Sequence, residues 1–162
     1  MFADITEPAL RALVHRFYAA VRRDPALAPV FEAAIPEDAW PAHLEKMVAF
    51  WSSVMLTSGR YKGDPVASHR RAHAARAFPP ELFARWLDLF EATAAALFAP
   101  AAAAAIVAKA RQIAESLRLA LFFRPDRRWE GDLRRRGDPR GDQTASASSM
   151  SSGADSRLVS SV

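Results

Sequence analysis

The chain reads as an all-α protein, and three observations carry that reading. No segment alternates apolar and polar β-branched residues as a half-buried strand would. Ala, Leu, Arg and Glu, all good helix formers, recur with helical spacing almost to residue 123. Prolines and glycines sit between those runs, as in "DPALAPVFEAAIPED", "SGRYKGDP" and "FPPELF".

The first helix is expected to start after Thr6, with Glu7 and Pro8 in its first turn, and to end near Asp24-Pro25. On it Leu10, Val14, Phe17, Tyr18 and Val21 recur at steps of three and four, which makes one apolar stripe with a phenol set in it. A turn of helix around Ala26 to Phe31 and a corner follow. The second long helix is expected from Asp38 to Thr57, stopped by Ser58-Gly59, with Trp40, His43, Leu44, Met47, Phe50, Trp51 and Val54 as its stripe. The loop "YKGDPVASH" leads into a short helix that begins at Pro65 and runs through "SHRRAHAAR". Pro79 and Pro80 open the next helix, whose face is Phe83, Trp86, Leu87, Phe90 and Leu97. Pro100 separates it from a last one, with Ile106, Ile113, Leu117 and Leu121 inward and an exposed pair, Glu115 and Arg118, three residues apart. Beyond Phe123 the periodicity stops, and the Arg-, Gly-, Asp- and Ser-rich residues 124–162 are expected to be a disordered appendage to a folded domain of residues 1–123.

Composition narrows the function. A length of 162 residues suits one domain with a tail, and 51% hydrophobic with 25% charged residues is ordinary for a soluble globular protein. Cysteine is absent, which excludes disulfides, a thiolate nucleophile and Cys-ligated zinc or iron-sulfur sites. Any metal chemistry must come from His, Asp, Glu, Tyr or Met. "MFADITEPAL" has no basic segment followed by an apolar block, so a cytoplasmic location is expected. The Ala-rich stretch over residues 94–108 is broken by Pro100 and is too short to span a membrane. The net charge is +4, and half of that excess lies in residues 124–162, so nucleic-acid binding by the folded part is not expected.

Several polar residues lie where apolar ones would suffice. Tyr18 sits in the first stripe, and His43 shares the face of Met47 and Trp51. Trp86 is most simply core, and His15 belongs to the surface. His69 and His73, four residues apart, have the spacing of a zinc or copper pair. No HExxH frame or third ligand accompanies them, however, and Arg70, Arg71 and Arg76 would repel a dication. A neutral imidazole on an iron already compensated by a porphyrin meets no such objection. The residues alone describe a helical core with Tyr, His and Trp facing inward and a histidine on a short helix beside a loop, which is the outline of a ligand pocket.

Five segments, "FYAAVRRDPALAPVF", "WPAHLEKMVAFW", "YKGDPVASH", "FARWLDLF" and "RQIAESLRLALFF", together resemble the third group of the truncated haemoglobins, in that family's order and over roughly residues 6 to 123. The resemblance implies a two-over-two helical sandwich around a haem b group. By position it makes His69 the proximal iron ligand and places Tyr18, His43 and Trp86 on the distal side. Phe31 would stack against the porphyrin, and Met47, Phe50 and Trp51 would wall the cavity. The segment "HRRAHAARAFPPELF" is longer and more basic than the family's link, so His73 is a rival ligand and Arg70, Arg71 or Arg76 is expected to meet the haem propionates. The implied function is reversible binding of O2, NO and CO by a haem protein, a monomer and not a dedicated enzyme, serving oxygen transport or oxygen and NO chemistry. The alternatives are a nitric oxide dioxygenase or peroxidase-like enzyme fed by an external reductase, since no flavin or nicotinamide fingerprint is present, and a cofactor-free helical interaction module.

Overall fold

Helix boundaries follow the capping and breaking residues closely. The structure, a computed structural model, describes residues 1–123 and forms six α-helices there: α1 (Glu7–Val21), α2 (Ala28–Ala34), α3 (Trp40–Leu56), α4 (Pro65–Ala75), α5 (Glu81–Leu97) and α6 (Pro100–Phe122). The tail expected over residues 124–162 lies outside the described residues. Thr6 opens α1 by accepting a hydrogen bond from the Ala9 amide, and the Asp64 carboxylate opens α4 by accepting one from Ala67 at 3.0 Å. Pro65 and Pro100 occupy the first turns of α4 and α6, where a missing N–H costs nothing.

Three boundaries differ from the sequence expectation, each for a local reason. Helix α1 ends at Val21, before Asp24, because the amides of Arg23 and Asp24 turn back onto the carbonyls of Ala20 and Val21. Helix α2 starts at Ala28 because the Asp24 carboxylate accepts from the amides of both Ala26 and Leu27, at 3.0 Å each, and so caps the turn ahead of it. Helix α3 starts at Trp40, since Pro36 first sets a 3-10 turn over Glu37–Ala39. Its end is as expected: Thr57 adopts the left-handed conformation (φ 54°), Gly59 follows at φ 66°, and the Ser52 and Ser58 hydroxyls bond at 2.9 Å.

Helix α1 packs against α3 and α5, α5 against α6, α6 against α4, and α4 against α2. Leu10, Leu13, Val14, Phe17 and Val21 of α1 meet Phe90 and Ala94 of α5 and Ile106 and Ala110 of α6 in one core. Each of the large side chains contributes about 1.5 to 3 kcal/mol by leaving water. The alanines of α6, Ala102, Ala103, Ala110 and Ala114, are themselves buried. The N-terminus is tied in as well: the Phe2 amide donates to the Leu97 carbonyl (2.7 Å) and the Ala99 amide to the Phe2 carbonyl (2.8 Å), which pins the α5–α6 corner. Among the described residues, no helix is long and apolar enough to cross a membrane.

Among the described residues Asp24 is the one buried carboxylate. It is 5% exposed, and beyond capping the α2 corner it accepts from Arg85 Nε of α5 at 2.8 Å. The Arg85 guanidinium holds the Asp24 carboxyl below its ordinary value of 3.8. A depressed carboxylate contributes stability that is present above the unfolded value and lost as the pH falls through the folded one. Asp24→Asn keeps one acceptor for the turn but loses the charged bond, so urea unfolding at pH 7 should show a loss of about 1 to 3 kcal/mol. The gap between variant and wild type should close as the pH is lowered below 3.8.

Candidate ligand-binding site

Several half-buried apolar residues of the long helices, Met47, Phe50, Trp86 and Ile113 among them, share one lining. They face a cavity of about 520 Å³, walled by Tyr18 of α1, by α2 and α3, and by α4, α5 and α6. All eight residues singled out in the sequence line it: Tyr18, Phe31, His43, Met47, Phe50, Trp51, His69 and Trp86. Helix α3 explains how one stripe serves two purposes. Trp40, Val48 and Ser52 form its fully buried edge, His43, Met47 and Phe50, three and four residues apart, form the edge that faces the cavity, and buried Trp51 borders both.

Helix α4 delivers a single imidazole. His69 Nδ1 lies 2.7 Å from the Pro65 carbonyl, one turn earlier on the same helix. A carbonyl only accepts, so this contact places the proton on Nδ1 and leaves the lone pair on Nε2. That is the tautomer of a metal-binding histidine whose orientation is fixed by a second hydrogen bond.

His73 is built differently and is not in the cavity wall. Its Nδ1 accepts from the Phe78 amide at 3.3 Å, and its ring meets Phe78 (centroids 4.8 Å apart) and Phe122 (5.3 Å) edge-on. The two histidines therefore do not chelate as a pair. Among the described residues no group of three or more His, Asp or Glu could hold a bare metal ion. Of the three arginines expected near an anionic group, Arg71 lines the cavity, Arg70 reaches the Ala120 carbonyl at the end of α6 (3.4 Å), and Arg76 is absent from the wall.

Tyr18 is 6% exposed, and its hydroxyl has no hydrogen-bond partner among the described residues. Burial pushes the phenol far above its ordinary pKa, so it stays a donor at any physiological pH. Its ring meets His43 edge-on, centroids 5.2 Å apart. Burial, and then the Lys46 ammonium, push the His43 imidazole below its ordinary value of 6.5 and keep it neutral near pH 7. Its Nε2 is buried without a protein partner, and so is the neighbouring Trp40 Nε1. Trp86 stacks on Phe90, centroids 5.2 Å apart. Lys46 and Tyr61 also line the cavity, and the sequence reading missed both. Lys46 sits beside Met47 on a face judged by its apolar members alone, and Tyr61 belongs to a loop where helical spacing gives no signal.

A helical fold that presents one oriented imidazole, a buried phenol and an indole around an apolar cavity is a globin in architecture. Comparison with known proteins gives the family. The chain is 31% identical over 123 residues to the group 3 truncated hemoglobin ctb of Campylobacter jejuni, a match that spans 75% of this chain and 94% of that protein. The crystal structure of a group III truncated hemoglobin from Campylobacter jejuni superposes with a TM-score of 0.70, at 31% identity, over 75% of this chain and 95% of that one. No protein-family model matches the chain. The chain belongs to the group 3 truncated haemoglobins.

Membership of a haemoglobin family implies haem, and the residues present fit that group. The cavity offers one nitrogen lone pair on a fixed imidazole, aromatic and apolar walls, an unpartnered phenol, and two cationic side chains, Lys46 and Arg71. Because the Tyr18 hydroxyl satisfies no protein group, Tyr18→Phe should change unfolding free energy by no more than about 1 kcal/mol. Thermal and urea denaturation of the cofactor-free chain measure that directly, and a larger loss would mean that the hydroxyl serves the fold.

Proposed function

We propose that this protein binds haem b through His69 Nε2 and takes up small diatomic ligands, dioxygen first among them, in the space bounded by Tyr18, His43 and Trp86. The observation that carries this reading is the His69 Nδ1 contact with the Pro65 carbonyl, which prepares the other ring nitrogen as a ligand. When bound, the haem iron supplies reversible coordination of the gas. The chain's own residues then do four things.

Pro65 and His69 hold the imidazole in one orientation and one tautomer. Phe31, Met47, Phe50 and Trp51 exclude water, so that any hydrogen bond inside is made in a medium of low dielectric. Tyr18 and Trp86 present an O–H and an N–H to a ligand that gains negative charge on binding. Lys46 and Arg71 stand at the cavity wall and would pair with the propionate carboxylates of the bound group. His43, neutral and without a partner on Nε2, is free to serve as a second donor or to move aside. Ligand delivery, oxidation of NO or reduction of peroxide would draw on the same site, with electrons from an external donor.

Purified chain reconstituted with haemin should show a Soret band that His69→Ala abolishes and His73→Ala leaves in place; the reverse pattern would assign the iron to His73. A charge-assisted hydrogen bond is worth about 1.5 to 3 kcal/mol, so stopped-flow dissociation of dioxygen should accelerate roughly ten- to a hundredfold in Tyr18→Phe or Trp86→Phe. Unchanged rates in both variants would remove these residues from the ligand-binding role.

A further inference from the structure

Aromatic rings follow one another beside the cavity: Trp86, Trp51, Phe50 and Tyr61 line it, and Phe90 lies in the core behind them. Trp86 stacks on Phe90 (5.2 Å, planes 12° apart) and Phe90 on Trp51 (4.8 Å, 24°). Trp51 meets Phe50 edge-on at 5.6 Å, and Phe50 meets Tyr61 edge-on at 5.1 Å. Apolar burial accounts for Phe90, 1% exposed, and Trp51, 3% exposed. It does not account for the last ring. Tyr61 is only half-buried and lies in a loop, yet it is held on purpose-built contacts. Its amide donates to Ser53 Oγ at 2.9 Å, and Gly63 carries no side chain where a Cβ would overlap the Tyr61 hydroxyl. The phenol therefore lies at the rim, with the cavity on one side and solvent on the other.

Indole and phenol are the side chains that give up one electron most readily. A phenylalanine ring between them is not oxidised but bridges a short tunnelling step. A phenol releases its proton together with the electron, so the step leaves no net charge, and the Lys46 ammonium 5.9 Å from the Tyr61 ring does not oppose it.

We infer that Tyr61 is the exit of a one-electron path by which this protein uses hydrogen peroxide to oxidise phenols too large to enter the cavity. The inference rests on the haem reading above. Each peroxide molecule reduced in the cavity takes two electrons and two protons and leaves as two water molecules. Each electron is drawn from Tyr61, whose O–H proton passes to solvent, leaving a neutral tyrosyl radical. That radical recovers a hydrogen atom from a phenol at the surface. One peroxide and two phenols thus yield two waters and two phenoxyl radicals.

The chain contains two tyrosines, Tyr18 and Tyr61, which makes assignment of the radical decisive. The haemin-loaded full chain is mixed with hydrogen peroxide, freeze-quenched for electron paramagnetic resonance, and digested for mass spectrometry; guaiacol and a bulky lignin-type phenol serve as reductants. The expected result is a tyrosyl signal and covalent dimers whose linkage mass spectrometry places at Tyr61, both lost in Tyr61→Phe while its Soret band is kept, with oxidation of the bulky phenol lost in Tyr61→Phe. A red protein whose only radical resides on Tyr18 or on a tryptophan, or whose Tyr61→Phe variant still forms dimers and oxidises the bulky phenol, overturns the inference alone. A chain with no Soret band after reconstitution overturns the haem reading, and this inference with it.

Discussion

The 2.7 Å contact between His69 Nδ1 and the Pro65 carbonyl is the constraint on which the account of this site rests. It is a product of helix geometry, because residues four apart stand one above the other on the same face. It needs α4 to begin where it does. The Asp64 carboxylate caps the helix and Pro65 fills its first position, so both residues of the "DP" pair act on the placement of one imidazole. An imidazole free to rotate would divide its lone pair between two tautomers and several directions. This one keeps a single nitrogen available to the cavity wall.

The cavity itself is the cost of function to the fold. Phe31, Met47, Phe50 and Trp86 are only partly buried, although each would contribute more to stability if it were fully packed. The compensation lies in the adjoining core, where Phe17, Phe90, Phe98 and Ile106 are fully buried. Asp24 then joins the α1–α2 corner to α5 through Arg85, across 61 residues of sequence. The fully buried packing is thus concentrated on α1, α5 and α6, and the half-buried faces of α3 and α4 border the cavity. That division allows a ligand site to persist without collapse of the walls onto one another.

Most of this was legible in the sequence for physical reasons that can be named. Helix period, proline punctuation and capping residues located all six helices, with errors of a few residues where Asp24 and Pro36 impose turns of their own. Most of the eight cavity residues were found because large or polar side chains recur on faces that must point inward, whereas Phe31 and the choice of His69 came from the family resemblance. The residues that escaped are those whose role depends on distance in space. Lys46 reads as a solvated charge and Tyr61 as a loop residue until the cavity is seen to border both. Ser52 and Thr93 look like interruptions in their helices, yet both are buried, with the Ser58 hydroxyl and the Leu89 carbonyl as partners. Spacing leaves His69 and His73 as rivals, and what separates them is visible only in space: the rings of Phe78 and Phe122 surround His73, while His69 lines the cavity.

The most direct measurement is nitrogen-15 and proton NMR of the haemin-loaded, cyanide-ligated chain with selectively labelled histidine. The account predicts one strongly shifted imidazole, assigned to His69, with its Nδ1 proton exchanging slowly because the Pro65 carbonyl holds it. A shifted ring belonging to His73 or His43, or the absence of any shifted histidine, would contradict it.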